Sequence, residues 1–574
     1  MKHLNEKKSV PVYIAMIFDY LSLKAENISG SWGRHPVRTM FLLALISLTF
    51  SMTLSLIDWP VPYVHDEFAY ILGADTFAHG RLANPPHEHW RHFESFHILH
   101  QPTYQSKYPP AASVSMALGI ILTGRPITGV WITTALATAL VFWMLLAWLP
   151  PRWAVMGGFI AALHPGIHLL WGQSYWGGSV PMIGGALVLG SSRRLVKTWS
   201  HSIACLLGLG FLVLAHSRPF EGALLSIPLV IFILYRAFLA LRSGGLKKLA
   251  CPFTILILMS VLIVLSVCFY NRAVTGNCFK FPHALWSETY MNPDAPSSNP
   301  RLSGYSGSPM GTSLFRVERI VWFYLGFWMA LPLILVKIKD APHLISTIFI
   351  IGLIVIMLGL VFPMLNMNPH MLMVILLFCQ AVILARNIKD PWILSALGII
   401  TALTGLSVAY SHAWPHYTAP AAPLVFYLLI QAVRAVRTQY AGPWIKGRHV
   451  VFILPLIMLI SMLVVIYRHP SADPPGWDRL GVYAVPDWSR DRALLLKALR
   501  SRPGLHLVFV RYPRWYNIHC EWVYNEADID GSKVVWAHDL GSAPNRELIG
   551  YFKDRNAWLL DLAGQPPALK PYIP

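Results

Sequence analysis

Acid is the scarcest thing in this chain of 574 residues. Asp and Glu number 27 against 46 Lys and Arg, and charged residues make up 13% of the whole. Soluble globular proteins carry roughly 25%. So little charge beside 55% hydrophobic residues excludes a disordered chain and argues against an ordinary cytosolic enzyme. Cysteine is nearly silent. Of the 6, Cys205, Cys251, Cys268 and Cys379 fall in apolar stretches, where Cys behaves as a small hydrophobe. Cys278 and Cys520 share one compartment, where a disulfide between them is an open alternative. No Gly-rich phosphate loop is present, so no nucleotide site is read. The internal repeats typical of transporters are missing as well.

Long apolar runs are abundant. A spanning helix needs about 20 apolar residues, and runs of that kind lie at 37–57, 127–149, 153–170, 220–241, 250–270, 319–336, 344–362, 371–385, 392–410, 417–433 and 449–467. Two shorter ones lie at 177–190 and 202–215. Basic residues orient them. Lys2, Lys7, Lys8, Lys24, Arg34 and Arg38 mark residues 1–36 as a cytoplasmic arm. Further basic loops surround Arg193-Arg194, 236–248, Lys337, Arg386 and 434–448, alternating as the positive-inside rule expects. The net charge of +19 is therefore read as topology, and nucleic acid is an unnecessary partner. Parity leaves the short apolar run at 108–123 beginning and ending on the outer side, which predicts a re-entrant or interfacial helix beside a site. The count is then about 13 spans, with the N-terminus inside and the C-terminus outside. The first span is read as an uncleaved start signal, since its apolar run begins too late and is too long for a signal peptide.

Three domains follow: the arm 1–36, a membrane domain 37–467 with large outer loops at 58–107 and 271–318, and an outer soluble domain 468–574. The last holds 14 Lys/Arg and 12 Asp/Glu. Strands are expected near 506–510, 533–536 and 557–560 and a helix near 545–555, after a Pro-rich linker at 470–475. The fold class is thus an all-α polytopic membrane domain with a small C-terminal α/β domain. The acidic, aromatic stretch 521–530 is read as a solvated loop, with binding of sugar, acceptor or calcium as the alternatives, although the spacing of a calcium loop is absent.

The acids that remain are unevenly placed. Of 15 in the membrane part, six lie between Asp58 and Glu94 and none between Glu94 and Glu221. Asp66-Glu67 opens a helical pattern (Phe68, Ile71, Leu72, Asp75, Ala78) expected to lie on the membrane surface. A helix N-terminus keeps a carboxylate ionised, and an ionised carboxylate can act as a general base. Solvation of an outer loop is the plain alternative. His65, His79, His87, His89, His92, His97 and His100 crowd the same loop. His87 and His89 are weak candidates for a metal, because their spacing fits no zinc motif. Lys107-Tyr108-Pro109-Pro110 closes the loop with a cation suited to phosphate, or with a snorkelling Lys before a helix start. Arg218 and Glu221 sit at a tight outer turn, either as an internal pair or as a site. Tyr175, in an aromatic and amide-rich turn, is a candidate for sugar contact. His416-Tyr417 caps another outer turn.

Taken in order, Asp66-Glu67-x-x-Tyr70, Gly80, Lys107-Tyr108-Pro109-Pro110, Ser217-Arg218-Pro219, Asn271-Arg272-x-x-Thr275-Gly276 and His416-Tyr417-Thr418-Ala419-Pro420-Ala421-Ala422-Pro423 resemble the GT-C fold membrane glycosyltransferases. The look-alikes are the protein O-mannosyltransferases and lipid A aminoarabinose transferases (glycosyltransferase families 39 and 83). The resemblance covers about 37–433. Two departures stand out: Arg218 replaces a Lys, and Tyr108 separates Lys107 from Pro109. The resemblance implies a multi-pass inner-membrane enzyme with its C-terminal domain outside. Such an enzyme moves a sugar from a polyprenyl-phosphate donor to a lipid, glycan or protein acceptor, with no cofactor required and a divalent metal not indicated. Asp66 would be the base, Glu67 would orient the acceptor or Lys107, and Lys107 and Arg218 would bind the donor phosphate. His65, Tyr70, Tyr108, Tyr175, Glu221, His416 and Tyr417 are candidate substrate contacts. A lipid-linked oligosaccharide transferase or ligase, and a transporter, are the alternatives.

Overall fold

A computed structural model describes residues 10–290, 317, 319–325, 390–409, 414–439, 446–468, 486–564 and 567–573. The predicted spans 344–362 and 371–385, all but the start of 319–336, and the linker 470–475 lie outside the described residues. What is described is a mostly helical, multi-pass integral membrane protein with a small mixed sheet at its C-terminus. Five stretches among the described residues are long and apolar enough to cross a bilayer: Pro36–Ile57, Pro126–Trp148, Pro219–Arg242, Leu246–Thr275 and Ala419–Thr438.

In chain order the first helices are α1 (Val10–Gly33), α2 (Pro36–Ile57), α3 (His65–Ala78), α4 (Ala111–Thr123), α5 (Pro126–Trp148) and α6 (Pro151–Ala162). Then come α7 (Pro165–Leu169), α8 (Ser179–Thr198), α9 (His201–Ala215), α10 (Pro219–Arg242), α11 (Leu246–Thr275) and α12 (Pro282–Tyr290). Proline sits in the first turn of α2, α5, α6, α7 and α10, where its missing N–H costs nothing. The core is built on α5, which packs against α2, α4, α6 and α8. Helix α4 has 13 residues, so it spans about 20 Å at 1.5 Å per residue, short of a bilayer core of about 30 Å. It crosses α5 closely: a Cβ on Gly129 would stand 2.0 Å from the Ser115 carbonyl oxygen. Gly73 on α3 lets that helix approach α4 in the same way, with Ser113 Oγ 2.7 Å from an added Cβ.

Several expectations are corrected. The run 153–170 is not one helix: α6 ends at Ala162 and α7 restarts at Pro165, because a proline disfavours helical backbone in the residue before it. The arm holds a helix, α1. Helix α1 lies against α6 and the helix Gly447–Arg468, with Asp19 paired to Lys446 at 2.6 Å and Glu26 held by Arg437 at 2.7 Å. Helix α3 is covered by protein on two sides. Nine of its residues are buried, sandwiched between α4 and the C-terminal sheet. Cys278 is a free thiol, so it makes no bridge to Cys520.

The C-terminal sheet has strand order β4-β3-β5-β6, with β3 (Leu505–Arg511), β4 (Val534–His538), β5 (Arg555–Asp561) and β6 (Ala568–Pro571). A small hairpin of β1 (Ile98–Leu99) and β2 (Gln105–Ser106) precedes it in the first loop. Strand β3 pairs in parallel with β4 and β5, and β6 adds antiparallel. Alternate residues face opposite sides. Val508, Val510, Val534 and Trp536 pack with Leu499 and Trp522. Leu507, Phe509, Val535 and Ala537 instead share one core with Phe68, Ala69 and Leu72 of α3. The stretch 521–530 is no solvated loop, since Trp522, Val523, Tyr524, Ala527 and Ile529 are all buried. Tyr524 stacks on Phe68 with ring centroids 3.9 Å apart, and the Ala527 N–H donates to Asp75 at 2.7 Å.

Candidate functional site

The first turn of α3 separates its two acids. Glu67 is completely buried. One carboxylate oxygen accepts from the Tyr63 and Val64 N–H groups at 2.9 and 3.3 Å, the other from the Tyr175 N–H at 2.9 Å. It closes the helix start as the acidic half of a capping box does, and it ties α3 to the turn before α8. Burial pushes its carboxyl up to about 7, against the pull of those backbone donors.

Asp66, one residue earlier, points elsewhere and keeps 25% of its side chain exposed. Its Oδ1 accepts from the Tyr108 hydroxyl and stands 3.2 Å from His97 Nδ1. Its Oδ2 accepts no hydrogen bond among the described residues. Burial alone would raise this carboxyl, but His97, then Lys107, hold it well below the usual carboxylate range.

Two cations complete the site. Lys107 is buried, with its ammonium 3.5 Å from the Trp286 ring centroid. Burial brings it down to about 7, partly offset by Asp66. Arg218 precedes α10 and places its guanidinium 4.5 Å from the Tyr417 ring centroid. The Asp66 and Glu221 charges both reach it, yet neither Lys107 nor Arg218 enters an ion pair among the described residues. The internal Arg218–Glu221 pair weighed from the sequence is therefore not formed. Tyr70 stacks on Tyr108 at 4.6 Å. His416, buried against Trp176 at 5.0 Å, is kept neutral by burial and by the nearby Arg218.

The structure thus gathers Asp66, Tyr70, Lys107, Tyr108, Arg218, Glu221, His416 and Tyr417. Five other candidates make their hydrogen bonds elsewhere. Glu67 faces backbone. The Tyr175 hydroxyl donates to the Pro60 carbonyl at 3.1 Å. His65 is hydrogen-bonded to the Tyr524 hydroxyl. His87 bonds Asp530 at 3.1 Å through Nε2 and receives the His89 N–H on Nδ1. Among the described residues no group of three or more His, Cys, Asp or Glu is placed to hold a metal. His97, Trp286 and Tyr524 had no signal: His97 was one of seven loop histidines, and the other two come from distant segments. Chemically, the arrangement offers an ionised carboxylate with an open oxygen, between two cations and an aromatic wall.

No protein-family model matches the chain, and no curated protein does. Among solved structures it is similar to the apo oligosaccharyltransferase of Archaeoglobus fulgidus, with a TM-score of 0.43 and 11% identity over 85% of this chain and 63% of that one. The chain therefore spans less than two thirds of that relative's length. A second structure of the A. fulgidus enzyme, AglB in complex with an inhibitory peptide and a dolichol-phosphate, gives 0.40 and 12% over 92% and 69%. The apo structure of ArnT from Cupriavidus metallidurans gives 0.41 and 14% over 92% of this chain and 93% of that one. These similarities run over most of the chain.

Proposed function

We propose that this protein is an integral-membrane glycosyltransferase that moves a sugar from a polyprenyl-phosphate donor to an acceptor hydroxyl on the outer face of the membrane. The observation that carries the reading is the pairing of an ionised, partly exposed Asp66 with two cations that, among the described residues, have no carboxylate partner of their own.

In the reaction, Asp66 Oδ2 takes the acceptor proton while the acceptor oxygen bonds the anomeric carbon. The bond from that carbon to the phosphate oxygen breaks, and its electron pair leaves with polyprenyl phosphate. A single displacement inverts the anomeric centre and needs one carboxylate, unlike the pair used by glycoside hydrolases. The phosphate gains negative charge as it departs, so Lys107 and Arg218 bind the transition state more strongly than the ground state. Tyr70, Tyr417 and His416 line the same site and are the groups available to the sugar and phosphate. The motif order of the first loop supports the same class of enzyme.

The test is transfer from a labelled polyprenyl-phosphate sugar by the purified protein in lipid. The reading expects release of one polyprenyl phosphate per sugar transferred, with Arg218→Ala raising the donor KM about tenfold or more. A protein that turns over no lipid-linked sugar with any acceptor extract, or an Arg218→Ala variant with unchanged donor dependence, would contradict it.

A further inference from the structure

The side chain most tightly organised around Asp66 is one that the sequence does not single out. His97 has φ of 65°, left-handed backbone that costs a non-glycine residue about 1 to 3 kcal/mol. Three contacts hold it there. The Lys107 N–H donates to its carbonyl at 3.2 Å. The hairpin β1–β2 starts at the next residue. Its ring is packed between Phe96 at 4.7 Å and Trp286 at 5.1 Å. The consequence is that Nδ1 lies 2.9 Å from the Tyr108 hydroxyl oxygen and 3.2 Å from Asp66 Oδ1. Strain that persists because surrounding contacts impose it marks a functional constraint.

We propose that His97 is a positioning residue for the reaction: with Tyr108 it fixes Oδ1 of Asp66, so that Oδ2 alone is presented to the acceptor hydroxyl. The proposal rests on Asp66 being the base. The Nδ1–H tautomer satisfies the geometry. His97 donates toward Tyr108 Oη and Asp66 Oδ1, and Tyr108 donates its O–H to the same carboxylate oxygen. Tyr108 is itself held flat against Tyr70. This pair of donors also sets the acidity of Asp66, because hydrogen bonds to a carboxylate favour its charged form. The other groups facing Asp66 are Lys107 from the first loop, Arg218 from the start of α10, His416 and Tyr417 from the turn before the last described span, His65, Glu67 and Tyr70 from its own helix, and His519 from the C-terminal domain.

Glycine and asparagine at position 97 separate a positioning role from a merely structural one. Both accept left-handed backbone, glycine freely and asparagine more readily than most residues, but only asparagine carries a side-chain N–H able to replace Nδ1–H. The proposal expects His97→Gly to lower kcat about 10- to 100-fold with donor KM changed less than twofold. The acid limb of the kcat profile should move up toward the ordinary carboxylate value near 4. His97→Asn should recover most of kcat and return the limb. Tyr108→Phe should shift the limb the same way as His97→Gly. A His97→Gly protein with wild-type kcat and an unmoved limb, or a His97→Asn protein as impaired as His97→Gly, overturns the proposal. Asp66→Asn is the separating control. If it keeps full transfer, the assignment of Asp66 as base fails. If it is inactive while His97→Gly is normal, only the role of His97 fails.

Discussion

At the scale of single residues, adjacent acids have opposite fates because one is solvated and one is not. Asp66 keeps a quarter of its side chain exposed and has the Tyr108 hydroxyl, His97 and the Lys107 cation around its charge, so it stays ionised. Lys107 shows the reverse balance: an ammonium buried beside an aromatic ring, brought down to about 7. A donor phosphate stabilises the ammonium, so the empty site loses its proton near pH 7 and the occupied site at higher pH. By linkage, donor KM should rise about tenfold per pH unit above pH 7, until the occupied site also titrates. Lys107→Arg should remove the rise, since a guanidinium keeps its proton. Steady-state donor kinetics from pH 6 to 9 check this, and a flat wild-type KM across that range would contradict it.

At the scale of elements, α3 is placed by what its first turn grips. Glu67 joins the helix start to Tyr175, 108 residues on, and Gly73 lets the helix settle on α4. Glu67→Gln substitutes an N–H for one accepting oxygen and sets it against a backbone donor, which should cost about 1 to 3 kcal/mol. The folded-state carboxyl lies near 7, above its ordinary 4.5. Its proton-linked contribution is therefore full below about 4.5 and lost as pH rises through about 7. The stability gap between wild type and Glu67→Gln should accordingly be wider at pH 5 than at pH 8, as read by thermal unfolding in lipid nanodiscs. A constant gap would count against the buried, proton-binding carboxyl.

At the scale of the whole molecule, the C-terminal sheet covers α3 with one of its faces. The layer that holds Asp66 in place therefore includes residues from both ends of the chain. This explains which parts were legible beforehand. Apolar runs announce spans because the bilayer demands about 20 apolar residues, and short runs of β-branched and aromatic residues such as 506–510 announce strands by composition. Asp66 stood out because acid is so rare around it. The destination of Glu67, the backbone of His97 and the burial of Tyr524 were not legible, since each depends on a contact with a segment distant in sequence or on a dihedral that composition does not encode. Stretch 521–530 misled for the same reason: its acids suggested solvent, while its aromatic residues were waiting for Phe68 and the far face of the sheet.

The most direct measurement is the rate of sugar transfer by Asp66→Asn, reconstituted in lipid beside wild type with the same labelled polyprenyl-phosphate donor. Asparagine keeps the shape and the Oδ1 acceptor for Tyr108 but cannot take a proton. Loss of a general base should lower kcat about 10²- to 10⁴-fold, with the donor KM close to that of the wild type. Transfer by a correctly folded Asp66→Asn protein at the wild-type rate would contradict the account.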